Sequence, residues 1–231
     1  MELTGARTLV VGGSGVLGGA LAGALHDAGA RCVATGRDPE RLARLEDSAE
    51  STLGLDVLDV VACREAVGTA VDRLGGLDLV VVATGVAAFG SAAELPDEVA
   101  EELFAVNTLG PIAVVSEALS RMPDGGTVVV LSAILADAPM AGMAAYSANK
   151  AALSAYLSAV RREVRRQGVT VLDVRPPHLE TGLADRALHG TPPRLPAGHD
   201  VDGLVGLVLE GIRTGAKELV WDQPSKALAL R

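Results

Sequence analysis

Cysteine is scarce in this chain: Cys32 and Cys63 are the only two in 231 residues. They form no CxxC pair, which excludes a disulfide framework and a thiolate metal site and leaves two buried or partly buried thiols. Histidine is nearly as sparse. His26, His178, His189 and His199 fall in no HExxH or comparable ligand spacing, so no metal is expected. No run reaches about eighteen uninterrupted apolar residues, and the opening MELTGARTLVVGGSG lacks a basic segment followed by an apolar stretch. No membrane partner is implied, and a cytoplasmic location is the expectation. Net positive charge is missing too, because the formal charge of −9 argues against nucleic acid, whose phosphates need a basic surface. The densest basic run, RREVRR at 161–166, reads as the solvated face of a helix.

What is present is apolar and periodic. With 49% hydrophobic and 21% charged residues, the chain is long enough for one sizeable core, and no composition break divides 1–231 into more than a single domain. Short Val/Leu-rich runs at 7–12, 30–36, 51–56, 77–84, 126–132, 169–175 and 217–222 alternate with longer stretches of helical period. Continuous apolar strands joined through helices need crossover connections. The expected fold is therefore α/β, a doubly wound, mostly parallel sheet of about seven strands with helices on both faces. One irregular segment, 176–200, is rich in Pro, Gly and His and reads as a lid or binding loop.

The first strand runs into GGSGVLGG, where Gly12, Gly15 and Gly18 are three apart and a helix opens near Val16. A turn of that shape needs backbone angles closed to other residues, and bare amides at a helix start accept a pyrophosphate. Those amides are local donors on an otherwise acidic protein. After the second strand comes ATGRDPERL, with Gly36 where a ribose-binding carboxylate would otherwise stand and Arg37 following it. An arginine there pairs with a 2′-phosphate, so NADP(H) is favoured over NAD(H). Asp38 and Pro39 read as the N-cap and first turn of the next helix. Further on, YSANK puts Tyr146 four residues before Lys150 in a chain with two tyrosines and three lysines. At that spacing both side chains share one helix face. A free phenol with a pKa near 10 must be lowered by about two to three units to serve as both acid and base near neutral pH, and a neighbouring ammonium works in that direction.

The glycine turn, LDV at 55–57, VNTLG at 106–110, YSANK at 146–150 and RPPHLETG at 175–182 follow the order and approximate spacing of the short-chain dehydrogenase/reductase family, which the chain resembles over essentially its whole length. The resemblance implies hydride transfer between a nicotinamide and a carbonyl or alcohol. It implies that Asp56 holds the adenine amino group and that Asn107 fixes a helix irregularity and a relay water. Tyr146 is then the acid/base, Lys150 holds the nicotinamide ribose, and Thr181 meets the carboxamide. Ser14, Gly15, Val16 and Leu17 line the phosphates, and Val57, Ala83, Thr84 and Gly85 the adenosine side. Pro176 and Leu179 form the nicotinamide floor.

Three departures accompany the likeness. The family's serine falls thirteen residues before the tyrosine, which is Ala133 here, with Ser132 one residue earlier. Either the strand ends early enough for Ser132 to turn inward, or the loop differs by one residue, or the donor is missing. VATG at 82–85 replaces an Asn-Asn-Ala-Gly run, and Pro177 and His178 follow Pro176 where glycine is usual. His178 is then either a substrate-side group or an ordinary loop histidine. The functional expectation is an NADP(H)-dependent interconversion of a carbonyl and an alcohol on a small to medium, fairly apolar substrate. The alternatives are a cofactor-binding protein with weak or no turnover, in a sensor or assembly role, and an isomerase or dehydratase on the same scaffold. Association into a homodimer or homotetramer, through the tyrosine helix and the one before it, is also implied by the resemblance.

Overall fold

A computed structural model describes residues 1–231. One eight-stranded sheet forms the centre, in the order β3-β2-β1-β4-β5-β6-β7-β8. Its strands are β1 (Arg7–Val11), β2 (Arg31–Gly36), β3 (Ser51–Gly54), β4 (Leu79–Val82), β5 (Thr127–Leu131), β6 (Thr170–Arg175), β7 (Glu218–Asp222) and β8 (Ala227–Leu230). All pair in parallel except β8, which returns antiparallel onto β7. The eighth strand goes beyond the seven expected from sequence. It is four residues long, it follows a turn containing Lys226 at φ 50, and it lacks the β-branched run that marks the others.

Alternation along each strand divides the apolar residues between two layers. Leu9, Val80, Val82, Val128, Val130 and Val171 face one core, which is completed by α3 (Val60–Leu74), α5 (Gly110–Arg121) and α6 (Ala144–Glu163). Val10, Leu79, Val81, Val129, Leu172 and Val174 face the other, covered by α1 (Val16–Asp27) and α7 (Val201–Thr214). The short α2 (Pro39–Ala43) begins as expected, with Asp38 accepting from the Arg41 amide at 3.1 Å.

The apolar stretch 97–121 is one helical rod with an irregularity inside it. α4 (Asp97–Phe104) passes through a π turn at Ala105–Leu109 into α5. By length and composition this rod resembles a membrane span, but 56% of its most apolar window is buried inside the fold, and it packs on α3 and α6, as a core helix does. Strands β1 and β4 lie side by side where the strand order reverses. The crevice above their C-terminal ends is where ligands bind in open sheets of this kind.

Candidate active site

The turn between β1 and α1 is built around absent side chains. Gly12 has φ +92, and a Cβ on it would lie 2.9 Å from the Ala83 carbonyl group. At Gly18 a Cβ would lie 2.1 Å from the Gly12 carbonyl oxygen, so helix and turn touch backbone to backbone. Gly36 leaves its space to Ser14, whose Oγ would be 2.2 Å from a Cβ there. The N-cap of α1, Gly15, offers no side-chain partner, so the first-turn N–H groups after it remain open to an anion. Arg37 stands exposed beside this turn, while Asp38 pairs instead with Arg41 at 3.2 Å. Asp56 is exposed as well, with Oδ1 accepting from the Leu58 amide at 3.0 Å. Val57 is buried under α5, where a Cβ on Gly110 would lie 2.6 Å from its carbonyl oxygen.

From the turn a cavity of about 320 Å³ runs inward. Gly15, Val16, Leu17, Ala83, Thr84 and Gly85 line one end, and Ser132, Tyr146, Lys150, Pro176, Leu179 and Thr181 line the other. Gly12, Ser14, Arg37, Asp56, Val57 and Asn107 lie outside its lining, Gly12 and Ser14 in the turn, Arg37 just after β2, Asp56 and Val57 after β3 and Asn107 in the π turn. The segment 176–200 closes the far wall and is tied down by backbone bonds, Leu188 N–H to Ala87 O at 2.8 Å and Phe89 N–H to His189 O at 2.9 Å. His178 also borders the cavity, with Nε2 3.7 Å from Glu180 Oε1. Sequence reasoning did not find the apolar wall made by Phe89, Met140, Met143 and Leu183. Those residues carry no spacing signal and come together only through tertiary packing.

Asn107 sits in the π turn, fully buried, and its amide clamps one residue on the opposite loop. Its Oδ1 accepts from the Val86 N–H and its Nδ2 donates to the Val86 carbonyl, each at 2.9 Å. The π turn widens the helix by one residue, and Thr108 Oγ1 uses that to donate to the Asn149 carbonyl on α6 at 3.0 Å. A Cβ on Gly85 would come within 3.5 Å of Asn107 Oδ1 and 3.8 Å of Lys150 Nζ, so the three groups converge.

Tyr146 and Lys150 are both buried and share a face of α6, with Nζ 5.8 Å from the phenol ring centre. Nζ donates to the Leu131 carbonyl at 3.2 Å. The sign expected for the phenol is reversed in the protein alone. Burial pushes Tyr146 up to about 12, because removal from water penalises the phenolate. Burial also lowers Lys150 to about 8, against an opposing pull from Asp173.

Ser132 borders the cavity, but its hydroxyl proton is directed elsewhere. The β5 ladder continues past its assigned end, with the Ser132 N–H donating to Val174 O at 2.8 Å. Alternation then puts the side chain on the Val128/Val130 face, beneath α6, where Oγ donates to Asp173 Oδ1 at 2.5 Å. The expectation that the strand ends early and turns Ser132 toward the substrate side is therefore corrected. Ala133 follows in extended conformation and supplies no donor.

The family model for short chain dehydrogenases matches residues 6–191. The chain belongs to that family. An uncharacterised oxidoreductase of Myxococcus xanthus is 34% identical over 227 residues, 94% of this chain and 88% of that protein. A cyclic-di-GMP-binding biofilm dispersal mediator protein of Escherichia coli is 33% identical over 179 residues, 77% of this chain and 75% of that one. Among solved structures, a short-chain dehydrogenase from Burkholderia cenocepacia in complex with NADP superposes with a TM-score of 0.81 at 28% identity, covering 92% of each chain. As a short-chain dehydrogenase, the protein has the Rossmann-like α/β fold read from its sequence.

The buried titratable groups set an alkaline stability profile. Lys150 falls from 10.5 to about 8, so the unfolded chain holds more protons between those values and stability rises with pH across that window. Cys32 rises from 9.0 to about 12, Cys63 from 9.0 to about 11 and Tyr146 from 10.0 to about 12. These three keep their protons longer when folded, so each loses stability above its unfolded value. Lys150 alone would add about 1 kcal/mol from pH 8 to 9, but the two cysteines offset most of it, so stability is expected to rise by only a few tenths of a kcal/mol to a shallow maximum near pH 9 and to decline beyond it. Urea midpoints at half-unit intervals check this, and a steady fall from pH 7.5 upward would contradict it.

Proposed function

We propose that the protein is an NADP(H)-dependent oxidoreductase interconverting a carbonyl and an alcohol, with Tyr146 as general acid/base. The observation that carries this reading is one continuous cavity with the glycine turn at one end and Tyr146 and Lys150 at the other. The residues present fit the cofactor: backbone contacts at Gly12 and Gly18 leave the turn free of side chains, and the buried Thr84 hydroxyl has no partner within the protein. Arg37, exposed and without a carboxylate partner, supports the phosphorylated form. When bound, a nicotinamide would supply the hydride and, in its oxidised form, a positive charge that favours the phenolate.

The remaining work falls to the chain. In the reducing direction, Tyr146 passes its hydroxyl proton to the carbonyl oxygen as that oxygen gains charge. Lys150, with one N–H on the Leu131 carbonyl, has two left for ribose hydroxyls, and its ammonium favours the phenolate that forms. Asn107 holds the β4 loop by its bonds to Val86 and so fixes Gly85 against the site. The walls at Phe89, Met140, Met143 and Leu183 exclude water and suit an apolar carbonyl compound of small to medium size. Two copies are proposed to associate through α5 and α6, whose small residues permit close helix packing.

A panel of aldehydes and ketones with NADPH, followed by absorbance, tests the reaction. Arg37→Ala tests the cofactor: NADPH should bind about 10- to 100-fold more weakly while NADH binds as before, since one or two charge-assisted hydrogen bonds are lost. Equal weakening of both cofactors would remove the basis for the NADP(H) preference. A second reading, nucleotide binding with little turnover, is favoured by the Ser132 hydroxyl lying on Asp173, because one missing donor can lower turnover by about 10²–10³. The relative named as a cyclic-di-GMP-binding mediator is consistent with it. Tight NADPH binding with no turnover across the panel would establish the second reading over the first.

A further inference from the structure

Asp173 is an acid in the middle of an apolar strand, 2% exposed, and none of the steps above uses it. Val171, Asp173 and Arg175 share the β6 face that α6 covers, and Asp173 is in register with Val130 on β5. Its Oδ1 accepts from Ser132, and Ser154 on α6 donates to the same Ser132 oxygen at 3.2 Å. Arg175 Nε is 3.5 Å from Oδ2 but makes no hydrogen bond to it, because that guanidinium is engaged by Asp137 at 2.8 Å and Glu218 at 2.6 Å. A buried carboxylate is thus held by hydroxyls and only weakly by its nearest arginine.

The other buried charge nearby is Lys150, 3% exposed, whose Nζ rests on the carbonyl of Leu131, the residue before Ser132. An ammonium removed from water loses its proton unless a countercharge shares the same dry space. We infer that Asp173 is a positioning residue for proton transfer: it holds the positive charge on Lys150 and takes the Ser132 hydroxyl out of the substrate cavity. This deepens the oxidoreductase reading and rests on it for its catalytic meaning. Asp173 opposes the burial that brings Lys150 down. The groups facing this pair are few. On α6 they are Tyr146, Ser154 and, further along, Arg161; on β6, Arg175; on β5, Ser132; and on the π turn, the neutral Asn107. Glu218 and Asp137 reach Arg175 and not the lysine.

The test uses the full chain labelled with ¹³C-lysine, whose three lysines, Lys150, Lys217 and Lys226, are few enough to resolve. Asp173→Asn keeps the size and an acceptor for Ser132 while removing the charge. Its Lys150 titration midpoint is expected to fall by about one pH unit or more, with the matching limb of the kcat/KM profile moving the same way. Ser132→Ala should leave the Lys150 midpoint within a few tenths of a unit. In the parent protein the Lys150 signal should also show a second, acidic inflection as Asp173 takes up a proton. If Asp173→Asn does not fold, that inflection decides alone. An unmoved midpoint in folded Asp173→Asn, or no acidic inflection in the parent, overturns the inference. The lysine titration needs no turnover, so a protein that reduces nothing defeats the oxidoreductase reading and leaves this measurement to decide the role of Asp173.

Discussion

Tyr146→Phe is expected to lower carbonyl reduction by about 10²–10⁴-fold while leaving NADPH affinity within twofold of the parent. The ring is buried and lines the cavity, and phenylalanine keeps it in place, so only the hydroxyl is removed. That hydroxyl makes no bond to another protein group, and its loss leaves nothing unsatisfied. Stability should stay within about 1 kcal/mol of the parent, which separates a chemical effect from a folding one. Steady-state rates on the best carbonyl of the panel, paired with titration of bound NADPH fluorescence, measure both quantities. Parental turnover in this variant would remove Tyr146 from the proton-transfer step.

Gly18→Ala should damage the other end of the cavity. The added carbon would sit 2.1 Å from the Gly12 carbonyl oxygen and 2.7 Å from its carbon, both of them backbone atoms that cannot rotate away. Either α1 slides outward or the turn opens, and each displaces the first-turn amides. Overpacking of this kind costs about 1–3 kcal/mol, or about 3–10 °C in Tm for a chain of this size. Losing two charge-assisted bonds to a pyrophosphate should weaken NADPH by about 100-fold or more. Gly23→Ala is the control on the same helix, because a carbon there meets nothing within 4 Å and gains helix propensity. An intact Tm and affinity in Gly18→Ala would show that the close approach of helix and turn is not required.

Much of this site was legible before any coordinates. Glycines at 12, 15 and 18, and a lysine one helical turn after Tyr146, announce themselves because the constraint is local: a tight turn and a shared helix face are written in spacing. The direction of Ser132 was not legible, because it depends on how far the β5 ladder runs, which is set by pairing with Val174 on a distant strand. The role of Asp173 was not legible for a related reason. Within VLDVR it reads as one polar residue in a strand, and only the placement of α6 makes its face a buried one. The sign of the Tyr146 shift also needed the fold, since the proximity of an ammonium is visible in sequence and the depth of burial is not. β8 escaped notice because a four-residue edge strand needs only β7 beside it, not a strong pattern of its own.

The π turn at Ala105–Leu109 makes residue count, and not only residue type, a condition of the site. The π turn takes one residue more than an α turn, so deleting any one residue between Phe104 and Gly110 would draw the rod into a continuous α-helix and remove the widened turn in which Asn107 sits. Gly110 is wedged against the Val57 carbonyl and fixes the later half, so the amide of Asn107 would lose the widened turn that presents it to Val86. Length variation among relatives should accordingly collect in the 90–96 approach to α4 and spare the five residues of the widened turn.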